Sequence, residues 1–334
     1  MLEANEICVI GGSGFIGSRL VRRLLESHPS RVRIVDIVRS MWFPQLAMYG
    51  DVRSVSQLRD AIRDGSMLVN LAAEHRDDVR PQSLYHEVNV SGARNICLVA
   101  REKNVSTIIF TSSVAIYGFA PIGTNEEGEV APFNDYGRTK YEAEEIFRAW
   151  QAEHPDERTL VIIRPTVVFG ERNRGNVYNL LRAIASGRFV MVGSGDNRKS
   201  MAYVENVAAF IEHCLGFRAG VHIFNYVDKP DLTMNALVVG VKEMLGRPAK
   251  VGFRIPFLVG FSIGKLFDFI GLLSGKQFTV STVRIRKFCA NSVYGTRVDG
   301  TGFVPPLPLG QALSQTVRYE FLETHEGEQV FFSE

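Results

Sequence analysis

A short apolar strand, a glycine-rich turn and a helix follow one another at the start of the chain, and no other feature constrains the fold as tightly. Glu6-Ile7-Cys8-Val9-Ile10 reads as a buried strand, Gly11-Gly12-Ser13-Gly14-Phe15-Ile16-Gly17 as the turn, and Ser18-Arg19-Leu20-Val21-Arg22-Arg23-Leu24-Leu25 as an amphipathic helix. Glycines let the backbone turn sharply and approach a pyrophosphate, while the helix N-terminus offers free N–H groups and partial positive charge. The strand before and the helix after raise the motif above chance. A merely structural turn is disfavoured by the second strand, Arg31-Val32-Arg33-Ile34-Val35-Asp36, which ends in an acid 19 residues after Gly17. A carboxylate there takes the adenosine ribose hydroxyls and repels a 2′-phosphate, which favours NAD over NADP. Arg39, close by, is the opposing signal.

The pattern then repeats. Gly50-Asp51-Val52-Arg53 precedes a helix over 55–63, and Met67-Leu68-Val69-Asn70-Leu71-Ala72-Ala73 is another buried strand. Asp51 suits either the adenine edge or the N-cap of the following helix. Ala72 and Ala73 are small where a strand end must pass close to a cofactor. The charge cluster Glu74-His75-Arg76-Asp77-Asp78 follows at the strand's C-terminus, where open parallel sheets bind ligands, and reads equally as functional or as a solvated loop. A helix over 83–103 carries Asn89 amid apolar residues, placed to tie the backbone near the cofactor. The strand 105–113 ends in hydroxyls, Thr111-Ser112-Ser113, and the strand 159–164 ends at Pro165. Strict alternation of strand and helix predicts an α/β fold, a doubly wound parallel sheet of Rossmann type.

Within that frame Tyr136-Gly137-Arg138-Thr139-Lys140 gains meaning. Residues four apart share a helix face. A phenol is a poor base at its ordinary pKa of about 10, but a cation one turn away stabilises the phenolate. Such a pair exchanges a proton with a sugar or alcohol hydroxyl near neutral pH. Alone the pattern fits a surface helix; the dinucleotide site upstream gives it chemistry. Ser113 at a strand end is then placed to hydrogen-bond a substrate oxygen beside Tyr136.

The remaining composition excludes other classes. The chain has 334 residues, 46% apolar and 22% charged, with a net charge of +2 and no basic run, so no nucleic-acid partner is implied. Cys8, Cys97, Cys214 and Cys289 are widely separated and read as reduced core thiols of a cytosolic protein. No Cys/His cluster has metal spacing, and the chain enters a strand at once, with no signal peptide.

Taken in order, Gly11-x-x-Gly14-x-x-Gly17, Asp36, Leu71-Ala72-Ala73, Ser113-x-x-x-Tyr117-Gly118, Tyr136-x-x-x-Lys140 and Arg164-Pro165 resemble the extended short-chain dehydrogenase/reductases of the nucleotide-sugar epimerase/dehydratase type. The likeness covers essentially the whole chain. It implies an NAD-binding domain over 1–170, with segments about 200–228 returning to it, and a smaller substrate domain mainly from 171–199 and 229–334. It implies NAD contacts from Gly11, Gly14, Phe15, Ile16, Gly17, Asp36, Asp51, Val52, Leu71, Ala72, Ala73, His75, Asn89, Tyr136, Lys140 and Pro165. Ser113, Tyr136 and Lys140 are the implied catalytic residues, with Ser113, Tyr136, Arg174, Asn176 and Lys199 toward the substrate. Lys199 stands where the family usually has an arginine, and Val167 where many sugar-nucleotide epimerases have a substrate-binding Asn. The family also implies a homodimer through helices 83–103 and 138–153.

The phrases Ala72 to Val79, Gly170 to Asn179, Lys199 to Tyr203 and Tyr226 to Leu232 resemble the branch of the family that acts on a lipid-linked sugar. That implies a 4-epimerase interconverting GlcNAc and GalNAc on undecaprenyl diphosphate for surface polysaccharide such as O-antigen, working at the inner face of the membrane. A UDP-sugar 4-epimerase and a 4-keto-sugar reductase keep the same Ser, Tyr and Lys. A 4,6-dehydratase needs Asp-Glu after the active hydroxyl, where this chain has Val114-Ala115. A non-catalytic NAD sensor would need only the glycine loop. The apolar stretch 255–273 approaches bilayer length, but Lys265 and Asp268 in its middle argue against a span. It reads as a buried core helix or as an interfacial helix on a membrane, and the core reading is the expectation.

Overall fold

The computed structural model describes residues 6–29, 31–76, 79–274 and 281–332. Asp77 and Asp78 of the charge cluster lie outside the described residues. In chain order the first part runs β1 (Ile7–Ile10), α1 (Phe15–Ser27), β2 (Val32–Asp36), β3 (Ala47–Tyr49), α2 (Val55–Ala61), β4 (Met67–Asn70), α3 (Ser83–Tyr85), α4 (Gly92–Glu102), β5 (Thr107–Thr111), α5 (Asp135–Ala152) and β6 (Thr159–Pro165). It continues β7 (Val167–Phe169), α6 (Asn176–Ala185), β8 (Met191–Val192), β9 (Arg198–Tyr203), α7 (Val204–Cys214), β10 (Gly220–Tyr226), β11 (Asp228–Thr233), α8 (Met234–Met244), β12 (Arg254–Ile255), α9 (Phe257–Ser274), α10 (Thr282–Cys289) and α11 (Leu309–Phe321).

Seven strands form one parallel sheet in the order β10-β6-β5-β4-β1-β2-β3. Its central strands are apolar throughout because helices cover both faces. Cys8, Ile10, Leu68, Ile108 and Phe110 face α2, α4 and α5, while Val9, Val69, Ile109 and Val161 face α1 and α7. The chain moves outward from β1 through β2 to β3, then crosses back to β4. The strand order therefore reverses between β1 and β4, and a crevice opens at their C-terminal ends. α7 and β10 belong to this layer although they come late in the chain: Arg22 and Arg23 of α1 bond Glu205 and Glu212 of α7 at 2.7 and 2.9 Å. A third core, built on Phe169, Leu181, Met201, Leu237 and Leu313, joins the small sheet β11-β9-β7 to α6, α8 and α11.

Two local expectations change. The helix expected over 83–103 is interrupted by a π-helical turn, His86–Ser91, that contains Asn89; such turns insert one extra residue into the ladder and re-aim a side chain. The N-cap of α2 is Ser54, whose hydroxyl accepts from Gln57 N–H, so Asp51 does not cap that helix. Instead its carboxylate holds the Arg53 guanidinium at 2.6 Å.

A larger correction concerns the apolar stretch. α9 is not a core helix: apart from Gly260 and Gly264, most of its described side chains are exposed. Its apolar residues recur without the spacing of one face, so the few inward positions cannot take them all. Among the described residues no helix is long and apolar enough to cross a membrane.

Beneath α5 lies a buried polar cross-link. Glu144 accepts from both Arg164 Nε and Nη2, at 2.9 and 2.6 Å, and both side chains are almost fully buried. Arg164 also donates to the Tyr117 hydroxyl at 2.6 Å, which donates to Asn225 at 2.9 Å. Helix α5, strands β6 and β10 and the turn at Tyr117 are thereby locked together. Removing one partner strands the other charge in the interior, so Glu144→Ala is expected to cost about 3–5 kcal/mol in urea unfolding. A loss below about 1 kcal/mol would show that the pair does not hold α5 in place.

Candidate active site

The crevice is a cleft of about 980 Å³ that runs from the glycine loop past the end of β4 to α5 and on to α10. Its floor at the loop is drawn tight. Gly11 has φ +79°, and a Cβ there would meet Ala72 N at 2.7 Å; one on Gly17 would meet Gly11 O at 2.5 Å. Only glycine lets the loop, the α1 N-terminus and the β4 end come this close. Gly14, Phe15, Ile16, Leu71, Ala72 and Ala73 line the same end. Asp36 closes it: its carboxylate accepts from Ser13 N–H at 2.9 Å and Val38 N–H at 3.0 Å, and burial pushes its pKa up. Asp51, Val52 and His75 also face the cleft. A glycine cradle at a helix N-terminus, with an aspartate beyond it, fits a dinucleotide diphosphate and adenosine ribose.

The end of the cleft that holds Tyr136 is set by capping. Asn134 accepts from Gly137 N–H at 2.9 Å and starts α5, which carries Tyr136 in its first turn and Lys140 in its second. Ser113 caps the 3₁₀ turn Val114–Tyr117 by accepting from Ala115 N–H at 3.1 Å. Tyr136, Lys140, Ser113 and Pro165 all line the cleft. Burial pushes the Tyr136 phenol up to about 12, and a hydrogen bond with Ser113 draws it partly back. Burial pushes Lys140 down to about 7, against the field of Glu144 one turn on, and its ammonium sits 4.2 Å from the centre of the Phe110 ring. The expected acidification of the phenol by its neighbour is therefore not the state of the protein alone. Burial disfavours both charges, and of the phenol's neighbours it is Ser113 that opposes the rise.

Three of the expected residues are engaged by the protein itself. Asn89 does not line the cleft: its side chain bonds both the N–H and C=O of Glu74, at 2.9 and 3.0 Å, and donates to Thr139 at 3.0 Å. It stitches the strand end to the catalytic helix. Arg174 also lies outside the lining, with its guanidinium paired to Glu320 at 2.7 Å and 4.1 Å from the Tyr178 ring. Its neighbour Asn176, at the start of α6, does face the cleft. Lys199 lines it as well, but its ammonium donates at 2.7 Å to the carbonyls of Lys287 and Ala290, closing the C-terminal end of α10. Burial pushes its pKa down to about 8.

Sequence reasoning passed over several lining residues. Ser112, beside the chosen Ser113, has a buried hydroxyl with no partner among the described residues. Phe119 and Phe133 stack with centroids 5.0 Å apart at the mouth, and Arg284 and Lys287 approach from α10. The doubled serine and the three cations Arg284, Arg286 and Lys287 around Ile285 were the available signals; for the two aromatics there was none.

With this geometry in view, the sequence comparisons define the class. The chain belongs to the NAD dependent epimerase/dehydratase family, whose model matches residues 7–226. The fold is that of the extended short-chain dehydrogenase/reductases and the cofactor is NAD. Within the family it is 46% identical to the N-acetyl-alpha-D-glucosaminyl-diphospho-ditrans,octacis-undecaprenol 4-epimerase of Escherichia coli O157:H7, over 99% of each chain. It is 27% identical to the UDP-glucose 4-epimerase of Vibrio cholerae, over 94% of this chain and 95% of that one. The structure of Thermus thermophilus UDP-glucose 4-epimerase in complex with NAD overlays with a TM-score of 0.71 at 19% identity, over 94% of this chain and 98% of that one.

The lysine shift sets a sign for stability. Unfolded, a lysine keeps its proton to about pH 10.4, whereas folded Lys140 loses it near about 7. Between those values the unfolded chain binds more protons, so this group makes stability rise with pH, and below about pH 7 the fold carries the full cost of a buried ammonium. Lys140→Met is expected to raise the melting temperature at about pH 6, with a gain that shrinks toward about pH 10. Equal gains at both pH values would mean that Lys140 is not held in a desolvated site.

Proposed function

We propose that this protein is an NAD-dependent 4-epimerase that interconverts N-acetylglucosamine and N-acetylgalactosamine on undecaprenyl diphosphate. The observation that carries this reading is the end-to-end 46% identity with the E. coli O157:H7 enzyme of that substrate. The site supports it: Ser113, Tyr136 and Lys140 share one cleft, and the residues after Ser113 are Val114 and Ala115 rather than the acids dehydration needs.

NAD, held by the glycine loop and Asp36, would supply a reversible hydride acceptor for C4 and, in its oxidised ring, a positive charge that favours the phenolate. The chain's own residues handle the proton. Tyr136 takes it from the C4 hydroxyl and later returns it, so the phenol must alternate between its two forms. Its resting pKa of about 12 makes it an acid in the protein alone. Positive charge in the loaded site, including Lys140, lowers that value. Ser113 bonds both the phenol and, in this role, O4, fixing the line of transfer. Ser112 offers a second hydroxyl beside it. The cleft's extension past Asn176 toward Arg284 and Lys287 leaves room and positive charge for a diphosphate.

In this reading residues 171–199 and 229–334 make most of the substrate side, and the reaction runs at the cytoplasmic face of the membrane that holds the carrier. A homodimer through α4 and α5 is part of the same reading, supported by the exposed Leu98 on α4.

Two measurements test it. The purified protein with NAD and no added reductant, offered GlcNAc on undecaprenyl diphosphate and on UDP, is expected to form the C4 epimer of the lipid-linked sugar. Conversion of the UDP form alone would replace this reading with a nucleotide-sugar epimerase. Tyr136→Phe is expected to lower kcat by about 10²–10⁴-fold with NAD affinity retained; substantial turnover in that variant removes the phenol from the mechanism.

A further inference from the structure

Helix α9 is built inside out. Its buried positions are Gly260 and Gly264, packed so closely that a Cβ on the first would lie 2.6 Å from Val192 and on the second 2.9 Å from Ile285. Among its described residues, most of the large apolar side chains point outward, with Leu258 74%, Leu266 56% and Phe269 58% exposed. A helix on a water-facing surface ordinarily does the reverse. An apolar face of this kind marks a contact surface, because only a partner removes it from water.

On α9 itself the charges balance: Asp268 accepts from Thr282 N–H at 3.1 Å, and Lys265 lies over Phe261 at 5.2 Å. The next helix, α10, carries Arg284, Arg286 and Lys287 and no acid. Arg286 and Lys287 lie 5.7 and 4.8 Å from the rings of Phe119 and Phe133, which are themselves exposed beside the cleft mouth. α10 lines the cleft through Arg284, Ile285, Lys287 and Phe288, and Ile285 with Thr282 also meets α9 at Gly264. The apolar face and the catalytic cleft are therefore continuous across a single basic helix.

We propose that the outer face of α9, with the cationic edge of α10, docks on an anionic phospholipid bilayer and turns the cleft mouth toward it. This rests on the lipid-linked substrate proposed above: a sugar diphosphate in the cleft has α10 and then α9 between it and the lipid phase. Aliphatic and aromatic side chains enter the headgroup boundary while lysines and arginines stay at its surface, the pattern of a helix lying in the interface. The basic edge adds attraction to anionic lipid. A second copy of the chain is disfavoured as the partner, because a two-fold self-contact sets the same surface against itself and brings the α10 cations together.

The test uses the full chain and no sugar. The protein is sedimented with phosphatidylcholine vesicles, with or without phosphatidylglycerol. It is expected to bind the phosphatidylglycerol vesicles at least about tenfold more tightly than the neutral ones. Leu266→Glu with Phe269→Glu, outside the cleft, is expected to weaken that binding by about tenfold or more, with NAD binding and melting temperature retained. Wild-type protein that stays in solution, or a double variant that binds as well as wild type, overturns the proposal. So does a pair of charges that splits a wild-type dimer while neither form binds vesicles, since the face then belongs to a second copy. Vesicle binding is read without turnover, so failure of the lipid-linked assay with docking intact would overturn the substrate and leave the surface standing.

Discussion

The buried pair of Glu144 and Arg164 is the constraint on which the active site rests. It ties the underside of α5 to β6 at 2.6 and 2.9 Å, and through Tyr117 and Asn225 it reaches β10. Tyr136 and Lys140 ride on that helix, and Ser113 stands at the start of the turn that carries Tyr117. On its other side Asn89 joins Thr139 to the backbone at Glu74. Ser113, Tyr136 and Lys140 are thus held by side chains that do not line the cleft. A buried ion pair adds little net stability over an apolar pair; here its value lies in fixing direction.

The same burial that makes the site precise makes it resistant to charge. Tyr136 is pushed up and Lys140 down, so the protein alone favours a neutral phenol and a readily lost lysine proton. A site of this kind is poised by what enters it. In the proposed reading, positive charge arriving beside the phenol would favour the phenolate and so couple proton transfer to cofactor occupancy.

Lys199 and Arg174 show how the substrate side departs from its family pattern. Both are cations expected toward the substrate, and both are engaged by the protein, one by the carbonyls at the end of α10 and the other by Glu320. The cations that line the far end of the cleft on α10 are Arg284 and Lys287. Lys199, by satisfying the carbonyl end of that helix, sets where they stand. In the proposed reading, carrier recognition moves from the usual strand to a helix that also bears the apolar α9.

The order of apolar strands, glycines and helices was enough to determine the doubly wound sheet, because period and turn chemistry are local properties that packing only confirms. The glycine loop, Asp36 and the Tyr136–Lys140 spacing were legible for the same reason: a strand, a tight turn and a helical repeat place them without knowledge of distant partners. Where a side chain aims, and what it costs to charge it, was not legible. Asn89 turns inward on a π-helical turn, Arg174 finds Glu320 far along the chain, and the phenol's shift comes from residues that bury it from several elements. The fate of α9 was decided the same way. Its composition favoured the core, and only the close seating of Gly260 and Gly264 against Val192 and Ile285 turns most of its leucines and phenylalanines outward. Burial is a sum over long-range neighbours, and a sequence names those neighbours without saying which will meet.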